Sequence, residues 1–360
     1  MNTATVRVLI VEDSLTVRRR LHEALSADAA ITVVGEAADG IEAVELCRRL
    51  RPDVVTMDVV LPGISGLAAT ERIMSETPTP ILVVSAGERS EVFTTYDALA
   101  AGAMEVMDKP HGDASDQGWG ERLCAAVRLL ARVPVVTRRR RSPDRTPQQS
   151  PLTSPPARRR SIDVVAVGAS TGGPGAVAEL LRALPAGFGP PILLVQHIAN
   201  DQFVVAFSDW LAGRGSRPVS YAQGGEAVSR LAGQVVMAPP DRHLVVRGGL
   251  LRLTAEPPRH YCRPSVDVLF ESVTADYGDR AAGCLLTGMG RDGAGGLLAL
   301  RRAGAPTFAQ SEETCVVYGM PRAAVELDAA EHRLSPAGIS ERLAALTGAE
   351  ATGKPWRRES

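Results

Sequence analysis

Short apolar runs alternate with longer segments whose apolar residues recur every three or four positions, and the alternation occurs twice along the chain. Runs at Val6 to Val11, Thr32 to Ala37, Val54 to Met57, Ile81 to Ser85 and Glu105 to Met107 are brief and bounded by turn residues, which predicts buried strands. Leu15 to Ser26, Gly40 to Leu50, Gly66 to Ser75 and Trp119 to Arg132 carry helical spacing. Such a βαβαβ order implies a parallel sheet with helices on both faces. The pattern resumes with a strand from Ile162 to Val167 and a helix from Ala176 to Leu184. Further strands are predicted at Ile192 to Gln196, Pro218 to Ala222, Gln234 to Ala238, Ala282 to Thr287 and Pro306 to Gln310. His243 to Arg247 and Leu250 to Thr254, split by Gly248-Gly249, predict a β-hairpin inserted in the second sheet. The expected fold class is therefore α/β, with two doubly wound parallel-sheet domains.

Between Pro134 and Ser161 the composition shifts to Arg, Pro, Ser, Thr and Gln, with basic clusters at Arg138 to Arg141 and Arg158 to Arg160. Proline and like charges both oppose compaction, so a flexible linker is expected. The domains are then 5–132 and 161–346, with linker 133–160 and a loose tail over 347–360. A length of 360 residues agrees with two or three units. The net charge of −1 gives no electrostatic case for nucleic acid or a membrane surface as the main partner. Five scattered cysteines without C-x-x-C spacing argue against a disulfide framework or a zinc site. No apolar run is long enough to span a bilayer and no signal-peptide pattern opens the chain. A cytoplasmic, reduced protein is expected.

In an open parallel sheet, chemistry collects beyond the carboxyl ends of the strands. In the first half those places hold Glu12 and Asp13, then Asp58, Ser85 and Lys109. Three clustered carboxylates need a neutralising cation, and Mg²⁺, bound by oxygen, is expected on Glu12, Asp13 and Asp58. Asp58 can then accept a phosphoryl group as an acyl phosphate, with Ser85 and Lys109 contacting its oxygens. The alternative makes each acid a turn residue or helix cap. Together these positions resemble the response-regulator receiver family over about residues 5 to 130, with Asp58-Val59-Val60-Leu61-Pro62-Gly63 as the phosphoacceptor loop. The resemblance implies a flavodoxin-like fold and a phosphodonor histidine kinase as partner. Receivers often carry an aromatic switch residue three before the lysine; here Val106 stands there.

In the second half Gly168-Ala169-Ser170-Thr171-Gly172-Gly173 follows a strand and opens a helix. It resembles the G-x-S-x-G elbow of hydrolases, in which the strand end lifts the hydroxyl clear and the helix offers unpaired N–H groups. Ser170 also occupies the place of the middle glycine in a dinucleotide fingerprint, which tilts the reading away from pyrophosphate. Ser170 as a simple N-cap is the plain alternative. The same strand-end rule delivers His197 after Gln196, and Asp292 after Thr287 through Gly288-Met289-Gly290-Arg291. A Ser170, His197, Asp292 relay follows, with oxyanion donors from the backbone of Thr171 and Met289. His243 and His260 are rival bases, and Asp292 also fits the cap of a helix expected from Gly293 to Arg302. The order Ser, His, Asp differs from that of α/β-hydrolases.

Six stretches then resemble the chemotaxis-specific protein-glutamate methylesterase family: Gly168 to Gly173, Gln196-His197, Ala238-Pro239-Pro240-Asp241-Arg242-His243, Arg263-Pro264-Ser265-Val266-Asp267-Val268-Leu269-Phe270, Thr287 to Gly293, and Tyr318-Gly319-Met320-Pro321. The resemblance implies hydrolysis of γ-glutamyl methyl esters on methyl-accepting chemoreceptor helices, releasing methanol, with related deamidation of glutamines. It implies catalytic Ser170, His197 and Asp292, no cofactor for the esterase, and no stable membrane insertion. Arg263 to Phe270 read as a loop entering a helix with Pro264 near its first position and Val266, Leu269 and Phe270 facing core. The unphosphorylated first domain is expected to cover the rim carrying Ser170, and phosphorylation of Asp58 to release it. A receiver fused to a DNA-recognition module and a hydrolase of small soluble esters are the competing classes; no basic recognition helix favours the former.

Overall fold

The computed structural model describes residues 5–86, 89–110, 118–133, 161–198 and 201–349. The expected linker beyond Val133, and the expected tail beyond Ala349, lie outside the described residues.

The first sheet is built by β1 (Val6–Val11), β2 (Ile31–Ala37), β3 (Val54–Met57), β4 (Ile81–Ser85) and β5 (Glu105–Asp108). They lie in the order β2-β1-β3-β4-β5, with parallel pairings throughout. The helices are α1 (Leu15–Ser26), α2 (Gly40–Leu50), α3 (Gly66–Glu76), α4 (Arg89–Ala101) and α5 (Trp119–Leu130). Ser14, Asp39 and Ser65 start three of them by accepting from the first-turn N–H groups of Val17, Ile41 and Ala68.

The second sheet has seven parallel strands in the order β14-β13-β12-β6-β7-β9-β8. They are β6 (Val164–Ala169), β7 (Ile192–Gln196), β8 (Val219–Tyr221), β9 (Val235–Met237), β12 (Ala281–Leu285), β13 (Thr307–Gln310) and β14 (His332–Leu334). The helices are α6 (Gly173–Ala183), α7 (Asp201–Gly213), α8 (Val266–Tyr277), α9 (Ala294–Arg302), α10 (Met320–Glu326) and α11 (Pro336–Thr347). From β6 the chain winds one way to β7 and later returns on the other side as β12, so a crevice opens above three adjacent strands.

The hairpin of β10 (His243–Arg247) and β11 (Leu250–Thr254) differs from expectation. It forms a separate two-stranded sheet instead of entering the large one. Its Leu244, Val246 and Leu251 bury in the same cluster as Phe270 and Val273 of α8, and Val246 N–H donates to Ser272 Oγ at 3.0 Å. A helix face, not a sheet edge, claims it.

The two α/β units meet through α4. Tyr96 rests on Phe207 and Trp210 of α7, with ring centroids 5.1 and 5.4 Å apart. Trp210 Nε1 donates to Asp97 Oδ1 at 2.6 Å, and Arg214 pairs with the same carboxylate. On α6, Gly175 lets Ala100 approach so closely that an added Cβ would lie 3.0 Å from the Ala100 Cα.

Candidate active site and phosphoacceptor site

β6, β7 and β12 deliver the three expected residues to one rim. Ser170 follows β6 directly, its N–H donating to Thr287 O at 3.0 Å and its carbonyl accepting from Gln196 Nε2 at 2.9 Å. Close approach is needed here: a Cβ on Gly288 would lie 2.7 Å from the Ser170 Cβ. His197 follows β7, and its Nε2 is 3.1 Å from Asp292 Oδ2. Ser170 lines the same cavity as His197, of about 330 Å³, and among the described residues its hydroxyl makes no hydrogen bond. Catalytic contacts of this kind are commonly long without substrate. Thr171 and Met289 line the cavity too, and among the described residues their N–H groups have no partner.

Asp292 does not cap the helix that follows it. Gly293, at φ 88°, is the N-cap of α9 and offers no side chain. The carboxylate instead accepts from Ser265 Oγ at 2.7 Å, Val266 N–H at 2.7 Å and Asp267 N–H at 3.1 Å, closing the N-terminus of α8. Burial alone would raise this carboxyl, but His197, Ser265 and Val266 hold it below the ordinary range. For His197 burial opposes the cation, while Asp292 and then Cys262 favour it, and the balance lifts the imidazole to about 9. Pro264 stands before the Ser265 cap and not at the first helical position, while Val266, Leu269 and Phe270 are buried as expected.

The rival histidines have other duties. His243 is buried, with Nδ1 accepting from Ser265 N–H at 3.1 Å and Nε2 facing Pro257 O at 3.3 Å. His260 Nε2 pairs with Asp267 Oδ2 at 3.1 Å. Arg263 lines the cavity while its Nε donates to Asp241 Oδ1 at 2.8 Å.

In the first unit the carboxylates of Glu12, Asp13 and Asp58 lie within 4.8 Å of one another. Lys109 Nζ is 2.8 Å from Asp58 Oδ2 and 3.2 Å from Glu12 Oε1. Ser85 is buried at the end of β4. Burial and the neighbouring Asp58 charge raise Glu12 to about 7, and burial raises Asp58 despite Lys109. Glu12 Oε2 is buried without a well-directed hydrogen bond, its close partner being Lys109 Nζ at 3.1 Å. Three carboxylates this close, those of Glu12 and Asp58 buried, with oxygen-only donors, fit a hard divalent cation. Val106 is buried and, with Tyr96, Leu99, Met104 and Glu105, forms the wall of the cavity opposite Ser170.

Comparison with known proteins assigns a family to each of the two units. Residues 165–343 match the CheB methylesterase family and 8–115 the response regulator receiver domain. A Myxococcus xanthus protein-glutamate methylesterase/protein-glutamine glutaminase is 44% identical, covering 95% of this chain and 97% of that one. An Anaeromyxobacter dehalogenans protein of the same name is 43% identical over 95% and 97%. The chain belongs to the CheB methylesterase family. The Thermotoga maritima CheB methylesterase catalytic domain, solved by crystallography, is 32% identical over 50% of this chain and 96% of its own, with a TM-score of 0.48. The family's two parts fall on the two sheets described, a receiver followed by a hydrolytic domain. No described helix is long and apolar enough to cross a membrane.

Sequence reasoning missed Cys262, whose Sγ is 3.9 Å from His197 Nδ1, and Ser265, which links Asp292 to α8. Asp292 carried a legible signal as a cap; the helix it caps lies elsewhere in the chain.

Proposed function

We propose that this CheB-family enzyme, a protein-glutamate methylesterase with associated protein-glutamine glutaminase activity, acts on glutamate methyl esters of chemoreceptor cytoplasmic helices and releases methanol. Ser170 attacks the ester carbonyl, His197 takes its proton through Nδ1 and returns it to the departing methoxide, and Asp292 holds the imidazole by Nε2. The N–H groups of Thr171 and Met289 receive the oxyanion. Water then repeats the sequence on the acyl-serine, and with a glutamine substrate ammonia leaves instead of methanol. The observation that carries this reading is the His197–Asp292 pair, 3.1 Å apart in the cavity that Ser170 lines.

Control is assigned to the receiver. A histidine kinase supplies the phosphoryl group, Asp58 accepts it, and Ser85 and Lys109 contact its oxygens. Mg²⁺ on Glu12, Asp13 and Asp58 would offset charge on that group. Unphosphorylated, α4 and β5 stand over the rim and exclude a receptor helix; phosphorylation weakens that docking. The receptor's cytoplasmic helices place the enzyme in the cytoplasm.

Methanol release from methylated receptor tests both halves. Ser170→Ala is expected to abolish release while Asp58 remains phosphorylatable, and a fragment of residues 161–349 to exceed the unphosphorylated full chain in rate. Retained hydrolysis would remove Ser170 from the mechanism, and a fragment no faster than the whole would refute inhibition.

A further inference from the structure

One grouping of metal-binding atoms inside the cavity joins the proposed base to a thiol that hydrolysis does not use. Cys262 Sγ lies 3.9 Å from His197 Nδ1, and ligand atoms of Cys262, His197 and Asp292 all fall within 4.8 Å of one another. Bonds of ~2.3 Å to sulfur and ~2.0 Å to nitrogen would set these two atoms about 3.6 Å apart across a tetrahedral zinc ion. A small turn of the thiol closes the difference. The other imidazole nitrogen is already 3.1 Å from the Asp292 carboxylate. A carboxylate on the far nitrogen is the usual outer partner of a metal-bound histidine, because it fixes the tautomer and raises the basicity of the ligating atom.

The thiol is presented, not merely nearby. Residues 259–262 form a tight turn closed by Arg259 N–H to Cys262 O at 3.1 Å and Cys262 N–H to Arg259 O at 2.8 Å. His260 and Tyr261 hold φ of 51° and 64° there, and His260 is tied to Asp267. Little ordering is left for metal capture to impose. Cys262 is partly exposed, whereas Cys47, Cys124, Cys284 and Cys315 are buried. The nearby Arg263 guanidinium is taken up by Asp241, so its charge is largely compensated.

We propose that Cys262 and His197 form a two-ligand site for a soft divalent cation of the zinc type, and that its occupation switches the hydrolase off. The thiol proton passes to solvent as the metal–sulfur bond forms, and the Nδ1 lone pair is committed to the metal instead of the serine proton. Water or a cavity anion fills the remaining positions. The inhibitory half rests on His197 being the base; metal capture does not.

Co²⁺ titrated into the full chain supplies the test. The expected result is a near-ultraviolet thiolate-to-cobalt absorption band, displaced by Zn²⁺ and removed by both Cys262→Ala and Cys262→Ser, with unchanged melting temperatures. In the methanol-release assay Zn²⁺ should inhibit reversibly with chelator, and Cys262→Ala should raise the half-inhibiting concentration by roughly tenfold or more. No band, or an equal band in Cys262→Ala, overturns the site. A band with zinc inhibition unchanged by Cys262→Ala overturns the switch. Hydrolysis that survives Ser170→Ala counts against the catalytic reading alone, since the cobalt band does not depend on it.

Discussion

Asp292 shows how much one carboxylate does in this molecule. It accepts from Ser265, Val266, Asp267 and His197, so the same group that orients the imidazole also begins α8. Asp292→Asn keeps the shape but places N–H groups where two lone pairs were used, and it favours the wrong imidazole tautomer. On the 161–349 fragment kcat should fall by about 10³–10⁴ with KM little changed, by analogy with the aspartate of serine proteases. A loss below tenfold in steady-state kinetics would contradict the orienting role. Ser170, His197 and Asp292 were legible because each follows an apolar run at a strand end. Cys262 was not: its place depends on left-handed backbone at His260 and Tyr261, residues that do not announce a turn as glycine or asparagine would. Nor could sequence show that His243 spends both ring nitrogens on backbone.

At the scale of elements, α4 joins chemistry to control. It follows Ser85 in the chain and carries Tyr96, Asp97 and Ala100 to α6 and α7. Its buried positions include Thr95, Tyr96, Ala98 and Leu99, nearly consecutive, because one face meets its own sheet and another meets the neighbouring domain. A helix buried on two sides lacks the single apolar stripe that marks α2 or α5, which is why periodicity did not reveal it. β14 was missed because three residues at a sheet edge give almost no pattern. The contact with α6 gives a direct test. Gly175→Val would drive a side chain into the Ala100 backbone, where even a Cβ has only 3.0 Å. The unphosphorylated full chain should then approach the rate of the 161–349 fragment in methanol release; an unchanged rate would show that this contact does not hold the receiver down.

Across the whole molecule, the docked receiver places Glu105 in the wall of the hydrolase cavity. Burial, opposed only by its bond from Val106 N–H, raises this carboxyl from an ordinary 4.5 to about 7. Docking therefore favours the protonated acid. Its contribution is complete below pH 4.5, declines by at most about tenfold per unit as pH rises toward 7, and is gone above it. Tyr96, His197, Cys262 and Arg263 share that cavity, and because His197 is the proposed base in fragment and full chain alike, its own titration drops out of their ratio. The ratio of fragment rate to full-chain rate should accordingly decrease from pH 5 to pH 7, and Glu105→Gln should flatten it; an identical slope in the variant would exclude Glu105 as its source.

The strand order has one more consequence. Ser170 and His197 are translated close together, whereas Asp292 arrives about a hundred residues later, in the loop behind a strand that must slot in beside β6. A chain still emerging from the ribosome thus holds a serine and a histidine without their anchor. On the mechanism proposed above, growing polypeptides of this protein react far more slowly with esters until the segment bearing Asp292 has been made and threaded home.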